Sequence, residues 1–402
     1  MRALRTAKVV TALAALMLAA AACGDDGDGG GGTAAGGLNP PNLPALTELG
    51  PGEGQVNLVA WAGYVEDGTN DPAVDWVSGF ESATGCQVNV TLGNTSDEMV
   101  QLIKSGQYDA VSASGDASLR LIAAGDVEPV NTALIPNYKD IFDGLKDQPW
   151  NTVNGKNYGV AHGRGANLLM WRTDQVTPAP DSWGVVFDPN SPHKGKVTAY
   201  DSPIYIADAA LYLMATQPDL GITNPYALDE TQFNAAIDLL RQQKALVGEY
   251  WSDYLKEVQA FKSGDSVVGT TWQVIANVAQ GEGAQVEVTL PKEGSTGWSD
   301  TWMVATKAKN KNCAYMWLDH IISPGANAAV AEYFGEAPSN KLACAQTSDP
   351  NHCETFHAED EEYFERVHFW STPRADCNDD DDSTNCKDVD DWTEAWTTIT
   401  GG

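Results

Sequence analysis

Aromatic rings and carboxylates recur side by side in this chain. In GWSDTW, residues 297–302, Asp300 stands between Trp298 and Trp302; Trp61 and Tyr64 share the stretch WAGY, and Trp272 follows a pair of threonines. Such a set can hold an organic cation. An ammonium over an indole face gains about 0.5–2 kcal/mol as it sheds water, and a charge-assisted hydrogen bond to a carboxylate contributes roughly 1.5–3 kcal/mol. Two ring faces and two acids then suffice for about micromolar affinity, near −8 kcal/mol. Taken singly, each tryptophan reads more simply as core packing.

Catalytic signatures are mostly missing from the sequence. It has no GxSxG elbow, no HExxH and no phosphate-binding GxxxxGK[ST], and Gly163-Arg164-Gly165 lacks the third glycine of a dinucleotide loop because Leu168 stands there. A secreted hydrolase with paired carboxylates is the rival reading, since 55 acids always supply a pair, but the separation that matters is not legible in one sequence. HCETFH, residues 352–357, lacks a recognised ligand spacing. CNDDDDSTNC, residues 377–386, lacks the order and the glycine of a calcium loop, so a solvated acidic loop is expected. No metal or cofactor is expected.

The elements that must carry these residues alternate between two periods. QVNLVAWAGYV starts as a strand, and NDPAVDWVSGFESATG follows with Val74, Val77 and Phe80 at helical spacing and Gly85 as its stop. CQVNVTL is a second strand. SDEMVQLIKSG predicts a helix with Ser96 as N-cap, Met99, Leu102 and Ile103 inward and Gly106 closing it. YDAVSAS is a third strand, after which Asp116 is expected to cap DASLRLIAAG. Strands alternating with short helices mean a largely parallel sheet. Ligands then sit beyond the carboxyl ends of the strands, which puts Trp61, Tyr64, Ser112 and Ser114 beside one another. A second α/β unit is expected from NGKNYGVAHGRG through VEVTLPKEG, with Arg164, Asp201 and Trp272 at strand ends. From about Leu342 the chain reads as loop-rich and very acidic.

Asp and Glu number 55 against 24 Lys and Arg, a formal charge of −31 in 402 residues, so the field repels phosphate backbones and nucleic acid is excluded as a partner. The first 22 residues carry Arg2, Arg5 and Lys8 before an apolar core, the pattern of a signal peptide. Leu18 and four alanines precede Cys23; this resembles a lipobox and marks Cys23 for lipidation. Residues 23–54, rich in Gly, Pro and Asp, are expected to be a disordered tether. Six further cysteines in an exported chain suggest disulfides. Fifteen connectivities are open; the spacing suggests Cys344 with Cys353 and Cys377 with Cys386, leaving Cys86 with Cys313.

The segments NLVAWAGYV, YDAVSAS, DSPIYIADAALYL, TTWQ, VTLPKEGSTGWSDTWMVATKAKNKNCAYMWLDHII and EYFGEAPSN resemble, in order and spacing, the spermidine/putrescine-binding proteins of ABC importers. The resemblance runs from about residue 56 to 342, and PKEG, then Trp-x-Asp, then AKNK is its most specific part. It implies an α/β, two-lobed periplasmic-binding-protein fold of the type II kind. Residues 55–160 with 299–335 would form lobe 1, and 161–298 with 336–402 lobe 2, crossing near Gly159, Trp298 and Gly335. No proposed disulfide would then bridge the hinge. Carried over by position, Trp61 and Tyr64 look like a first-lobe aromatic wall and Ser114 a polar contact. Asp201 looks like an amine-binding acid, Trp272 and Trp298 like second-lobe faces, and Asp300 like the acceptor of a terminal ammonium. Trp302 has no counterpart and is left to the core.

The chain departs from the family at Asp116 and Glu336, each standing where a tyrosine is usual, at Ile204 in place of a second acid, and at Arg164 in place of a cleft tryptophan. Asp116 and Glu336 facing the cleft would still suit a diamine or polyamine, whereas Arg164 facing it would suit a ligand that also carries a carboxylate. The expected function is an extracytoplasmic, lipid-anchored, monomeric and non-enzymatic binding protein that delivers a polyamine to the permease of an ABC importer. The alternatives are another small cationic or zwitterionic amine as ligand and, from other classes, the hydrolase or a surface adhesion module.

Overall fold

The computed structural model describes residues 38–376 and 385–401. Two five-stranded sheets carry the fold, and they repeat one plan. The first has the order Gln87–Leu92, Gln55–Ala60, Ala110–Ala113, Thr301–Val304, Val160–Ala161. Its first three strands are parallel, and the last two each run antiparallel to the neighbour before. The second has the order Val247–Trp251, Val197–Tyr200, Val268–Thr271, Leu168–Arg172, Val286–Thr289, again three parallel strands and then two antiparallel ones. In both, successive parallel strands are joined by helices, the connection that a right-handed crossover requires.

Helix Val77–Thr84 ends at Gly85, whose φ of 72° is the left-handed conformation that a residue without Cβ adopts freely. Helix Ser96–Lys104 is capped by Thr95, whose side chain accepts from the Glu98 N–H, not by Ser96 as expected. Ser96 lies inside the first turn and uses its hydroxyl on Asp116 instead. Asp116 likewise falls inside the first turn of helix Gly115–Ala124, with Ser114 at the N-cap position. Both expectations missed by one or two residues because a polar side chain near a helix start cannot be told from the cap itself.

A third sheet is built in part from the stretches of chain that link the other two. Its strands are Ala337–Pro338, Gly163–Ala166, Ser295–Trp298 and Val367–Phe369. Gly165 is opposite Trp298 and Arg164 is opposite Ala337, so the stretches by which the chain passes from one large sheet to the other run side by side. Arg164 is therefore inside a crossing strand and not at a strand end. The C-terminal part contains more regular structure than expected: Val367–Phe369 joins this sheet, and Val389–Thr400 is a helix with a capping box at Asp388.

The segment expected to be disordered is, from residue 38 on, packed against the folded core. Leu38, Leu46 and Leu49 pack against the core, the Leu46 carbonyl accepts from Asn131, and the Gly50 N–H donates to Asn312. Its sequence misled because leucines scattered over a Gly/Pro-rich stretch show no helix or strand pattern, yet Leu38, Leu46 and Leu49 turn to the core. Cys86–Cys313 and Cys344–Cys353 are disulfides. Cys377, Cys23 and the signal-peptide residues lie outside the described residues, as does most of the acidic loop 377–386. Trp183, Trp251, Trp302, Trp317 and Trp392 are fully buried.

Candidate ligand-binding site

The antiparallel registers bring the key side chains together. Thr301 is opposite Ala113 and Ala161, so Asp300, one residue earlier, emerges beside Ser114 on one flank and His162 on the other. The His162 N–H extends that ladder by donating to the Asp300 carbonyl at 2.8 Å. In the second sheet Leu168 is opposite Thr271, which sets Asn167 beside Trp272, and the Trp272 indole N–H donates to Asn167 Oδ1 at 3.1 Å. Trp61 and Tyr64 follow the end of strand Gln55–Ala60. The ends of the two large sheets thus face each other.

At the hinge end of this cleft lie two buried carboxyls. Asp300, 3% exposed, accepts from Tyr64 Oη at 2.8 Å and from Ser114 Oγ at 2.5 Å. Burial pushes its carboxyl up to about 6, outweighing both hydrogen bonds. Glu336, 1% exposed, has no donor on either carboxyl oxygen. Burial first, and then the charge of Asp300, hold it well above the usual carboxylate range. Tyr64 is close enough to influence both acids, but its hydroxyl has one proton and that proton goes to Asp300. Burial, Asp300 and Glu336, in that order, raise the Tyr64 phenol well above its ordinary value. Among the described residues neither acid is paired with a Lys or Arg. The contact to His162, 3.3 Å from Nε2 to Glu336 Oε1, is off the hydrogen-bond direction. His162 is itself pushed down to about 3 by burial. Two carboxyls in a dry site without a cation are poorly placed for themselves and well placed for an ammonium.

Aromatic rings wall the rest. Trp61 meets Trp272 edge-on at 5.8 Å; Trp272 is also 5.3 Å from Tyr200 and 5.0 Å from Trp251. Trp370 stacks on Tyr200 at 5.9 Å with planes 7° apart. The Tyr200 hydroxyl donates to the Asn94 carbonyl across the cleft at 3.2 Å, so the two sides touch. The space left among Trp61, Asn94, Tyr254, Trp272 and Phe334 is only about 30 Å³. Trp298 lies against Gly165, where a Cβ would strike its ring, and meets Phe334 edge-on at 5.3 Å. The indole N–H groups of Trp61, Trp298 and Trp370 are buried without an acceptor.

Other residues picked from the sequence make contacts of their own. Asp201 Oδ1 accepts from the Trp396 indole at 3.0 Å. Asp116 is buried against Ser96 Oγ at 2.8 Å, with burial pushing its carboxyl up to about 7, and lies beside Asp97 and Arg120. Arg164 forms a forked ion pair with Glu361, at 2.8 and 3.1 Å, donates to the Ala358 carbonyl and covers the Phe364 ring at 3.7 Å. Its guanidinium is thereby committed, and it borders a separate cavity of about 250 Å³ with Trp298, Glu336, Phe356 and Tyr363. Ser112 is fully buried in the first sheet. Trp302 is fully buried, yet its N–H reaches His162 Nδ1 at 3.0 Å. His352 faces the Glu336 backbone carbonyl at 2.9 Å.

The sequence reading missed His162, Asn167, Tyr200, Trp251, Phe334 and Trp370. The strand-end rule that found Trp61 and Trp272 also reaches Tyr200 and Trp251, the last residues of their strands. No local signal marks Trp370.

The model of the bacterial extracellular solute-binding protein family matches residues 75–352. The putrescine-binding periplasmic protein of Escherichia coli (strain K12) is 24% identical over 305 residues, covering 72% of this chain and 78% of that protein. The substrate-binding protein of a spermidine/putrescine ABC transporter from Streptococcus pneumoniae superposes with a TM-score of 0.65 at 17% identity, over 86% of this chain and 97% of its own. A periplasmic binding protein from A. tumefaciens B6 in complex with glucopine does so with a TM-score of 0.65 at 19% identity, over 86% and 99%. The fold is accordingly the two-lobed fold of periplasmic binding proteins. Among the described residues no helix is long and apolar enough to cross a membrane.

Proposed function

This chain belongs to the bacterial extracellular solute-binding protein family, whose members bind solutes and are not enzymes, and we propose that it captures a polyamine, putrescine or spermidine, for an ABC permease. The observation that carries the ligand class is the pair of buried carboxyls, Asp300 and Glu336, left without a cation. A terminal ammonium fits between them, donating to Asp300 opposite the Tyr64 and Ser114 hydroxyls. The alkyl chain runs between Trp61 and Trp272, whose faces suit methylenes and ammonium groups alike.

Residues 55–160 with 299–335 act as one lobe and 161–298 with 336–402 as the other, closing about the paired crossing strands. Residues 38–54 stay with the first lobe, and Cys23 carries the lipid that holds the protein at the outer face of the cytoplasmic membrane. A zwitterionic ligand is the weaker reading, because the one candidate for its carboxylate, Arg164, is taken up by Glu361.

Titration calorimetry of the purified protein against putrescine, spermidine, amino acids and betaine tests this. The expected result is a Kd of about 1 μM for a polyamine and no heat with the others. Tighter binding of an amino acid, or no binding of any amine, overturns the polyamine reading.

A further inference from the structure

Glu336 stands where the family's tyrosine is expected, and a buried carboxylate needs something to aim it. Among the described residues, the ring nitrogen in ion-pair distance of its carboxyl is His162 Nε2, 3.3 Å from Oε1 and, without ligand, off the hydrogen-bond direction. Which tautomer His162 adopts is decided on its other side. There the Trp302 indole N–H, a donor only, points at Nδ1 over 3.0 Å. Nδ1 must therefore carry a lone pair, and the proton of the neutral ring must sit on Nε2, facing Glu336. Charging His162 would set two N–H groups against each other in a fully buried place. The ring is further held by the Tyr64 ring, 3.9 Å away, and its backbone by Asn327, which donates to the His162 carbonyl at 2.8 Å.

Among the described residues, the other ionisable groups facing this assembly supply no positive charge. Tyr64 and Asp300 face it from the end of the first sheet, His352 reaches only the Glu336 backbone, and Arg164 on the neighbouring strand is bound to Glu361.

We infer that His162 is a positioning residue, fixed by Trp302 as the neutral Nε2–H tautomer, whose N–H comes into line with Glu336 when the ligand's ammonium draws that carboxylate in beside Asp300, and so orients it without cancelling its charge. This rests on the amine reading of the site and deepens it. Two carboxylates converging on one nitrogen call for an N–H on each side, so the bound nitrogen is a primary or secondary ammonium, and a quaternary one is refused. A protonated histidine at the same place would neutralise Glu336 and remove that demand.

Three measurements test the arrangement. Nitrogen-15 NMR of histidine-labelled protein at pH 7 should show His162 as the neutral Nε2–H tautomer, and Trp302→Phe should abolish that preference. His162→Gln keeps an N–H donor near the position of Nε2 and should bind putrescine within about threefold of wild type, whereas His162→Leu should bind at least about tenfold more weakly, as expected for losing a bond to a charged group. The bis-trimethylammonium analogue of putrescine should not bind. An Nδ1–H tautomer, a charged His162, or unchanged affinity in His162→Leu overturns the inference while leaving Asp300 as the ammonium acceptor. Wild-type protein that binds no amine overturns the reading of the site, and the inference with it.

Discussion

Asp300→Asn should weaken ligand binding and stabilise the ligand-free protein, two effects with one cause. The carboxyl of Asp300 is pushed from 3.8 up to about 6 by burial. A shift of about two units corresponds to about 3 kcal/mol. The folded value lies above the unfolded one, so the contribution of Asp300 to stability is complete below about pH 4 and is lost as the pH rises to about 6. Above that the wild type bears the cost of a buried charge that an amide does not carry. The amide can still serve both neighbours, because the Tyr64 and Ser114 hydroxyls rotate, one donating to Oδ1 and the other accepting from Nδ2.

Thermal unfolding of the two ligand-free proteins should therefore coincide near pH 3.5. By pH 8 they should separate, with the variant about 4 °C higher, from roughly 2 cal/mol/K of unfolding entropy per residue. Calorimetry at pH 8 should show polyamine affinity reduced about 10- to 100-fold, the loss of a charge-assisted hydrogen bond. A variant no more stable than wild type at pH 8, a gap that persists at pH 3.5, or unchanged affinity would refute the argument that Asp300 is kept uncompensated for a cation.

Three further outcomes follow from contacts elsewhere. Glu53 accepts from the Asn312 and Cys313 N–H groups at 3.0 and 2.9 Å, at the start of helix Lys311–Ile321; Glu53→Ala should cost about 1 kcal/mol in thermal stability with affinity unchanged, and an unaltered Tm would argue that the strap 38–54 is not seated. Asp201→Asn leaves an oxygen for the Trp396 indole, so its polyamine affinity should stay within about threefold of wild type; a loss matching that of a charge-assisted bond would mean that Asp201 turns to the ligand. Gly165→Ala sets a methyl against the Trp298 ring and should lower affinity at least about fivefold with altered tryptophan fluorescence, since the ring can only move by giving up its place beside Phe334; affinity at the wild-type level would remove Trp298 from the binding wall.

Much of this was legible because it is local. Apolar periods of two and near four placed the strands Gln55–Ala60, Gln87–Leu92 and Ala110–Ala113 and the helices between them, and the rule that ligands gather at strand ends then singled out Trp61, Tyr64, Ser114 and Trp272. Asp300 was legible from its place between two indoles after PKEG. The leucines of residues 38–54 and the helix Val389–Thr400 were not, because scattered apolar residues and a segment next to an acidic loop show no clear period.

Which charged groups remain free for a ligand was decided by tertiary structure alone. Arg164 carries the same formal charge in sequence as in the fold, but a partner 197 residues away, Glu361, commits it elsewhere, and one oxygen of Asp201 accepts from Trp396, 195 residues away. Glu336 is left free because Tyr64 has a single proton to donate and gives it to Asp300. Sequence determines which residue types lie near a strand end, since that depends on a few neighbouring residues. It does not determine how their hydrogen bonds and charges are satisfied, since that depends on groups brought together only when the two sheets and the crossing strands are in place.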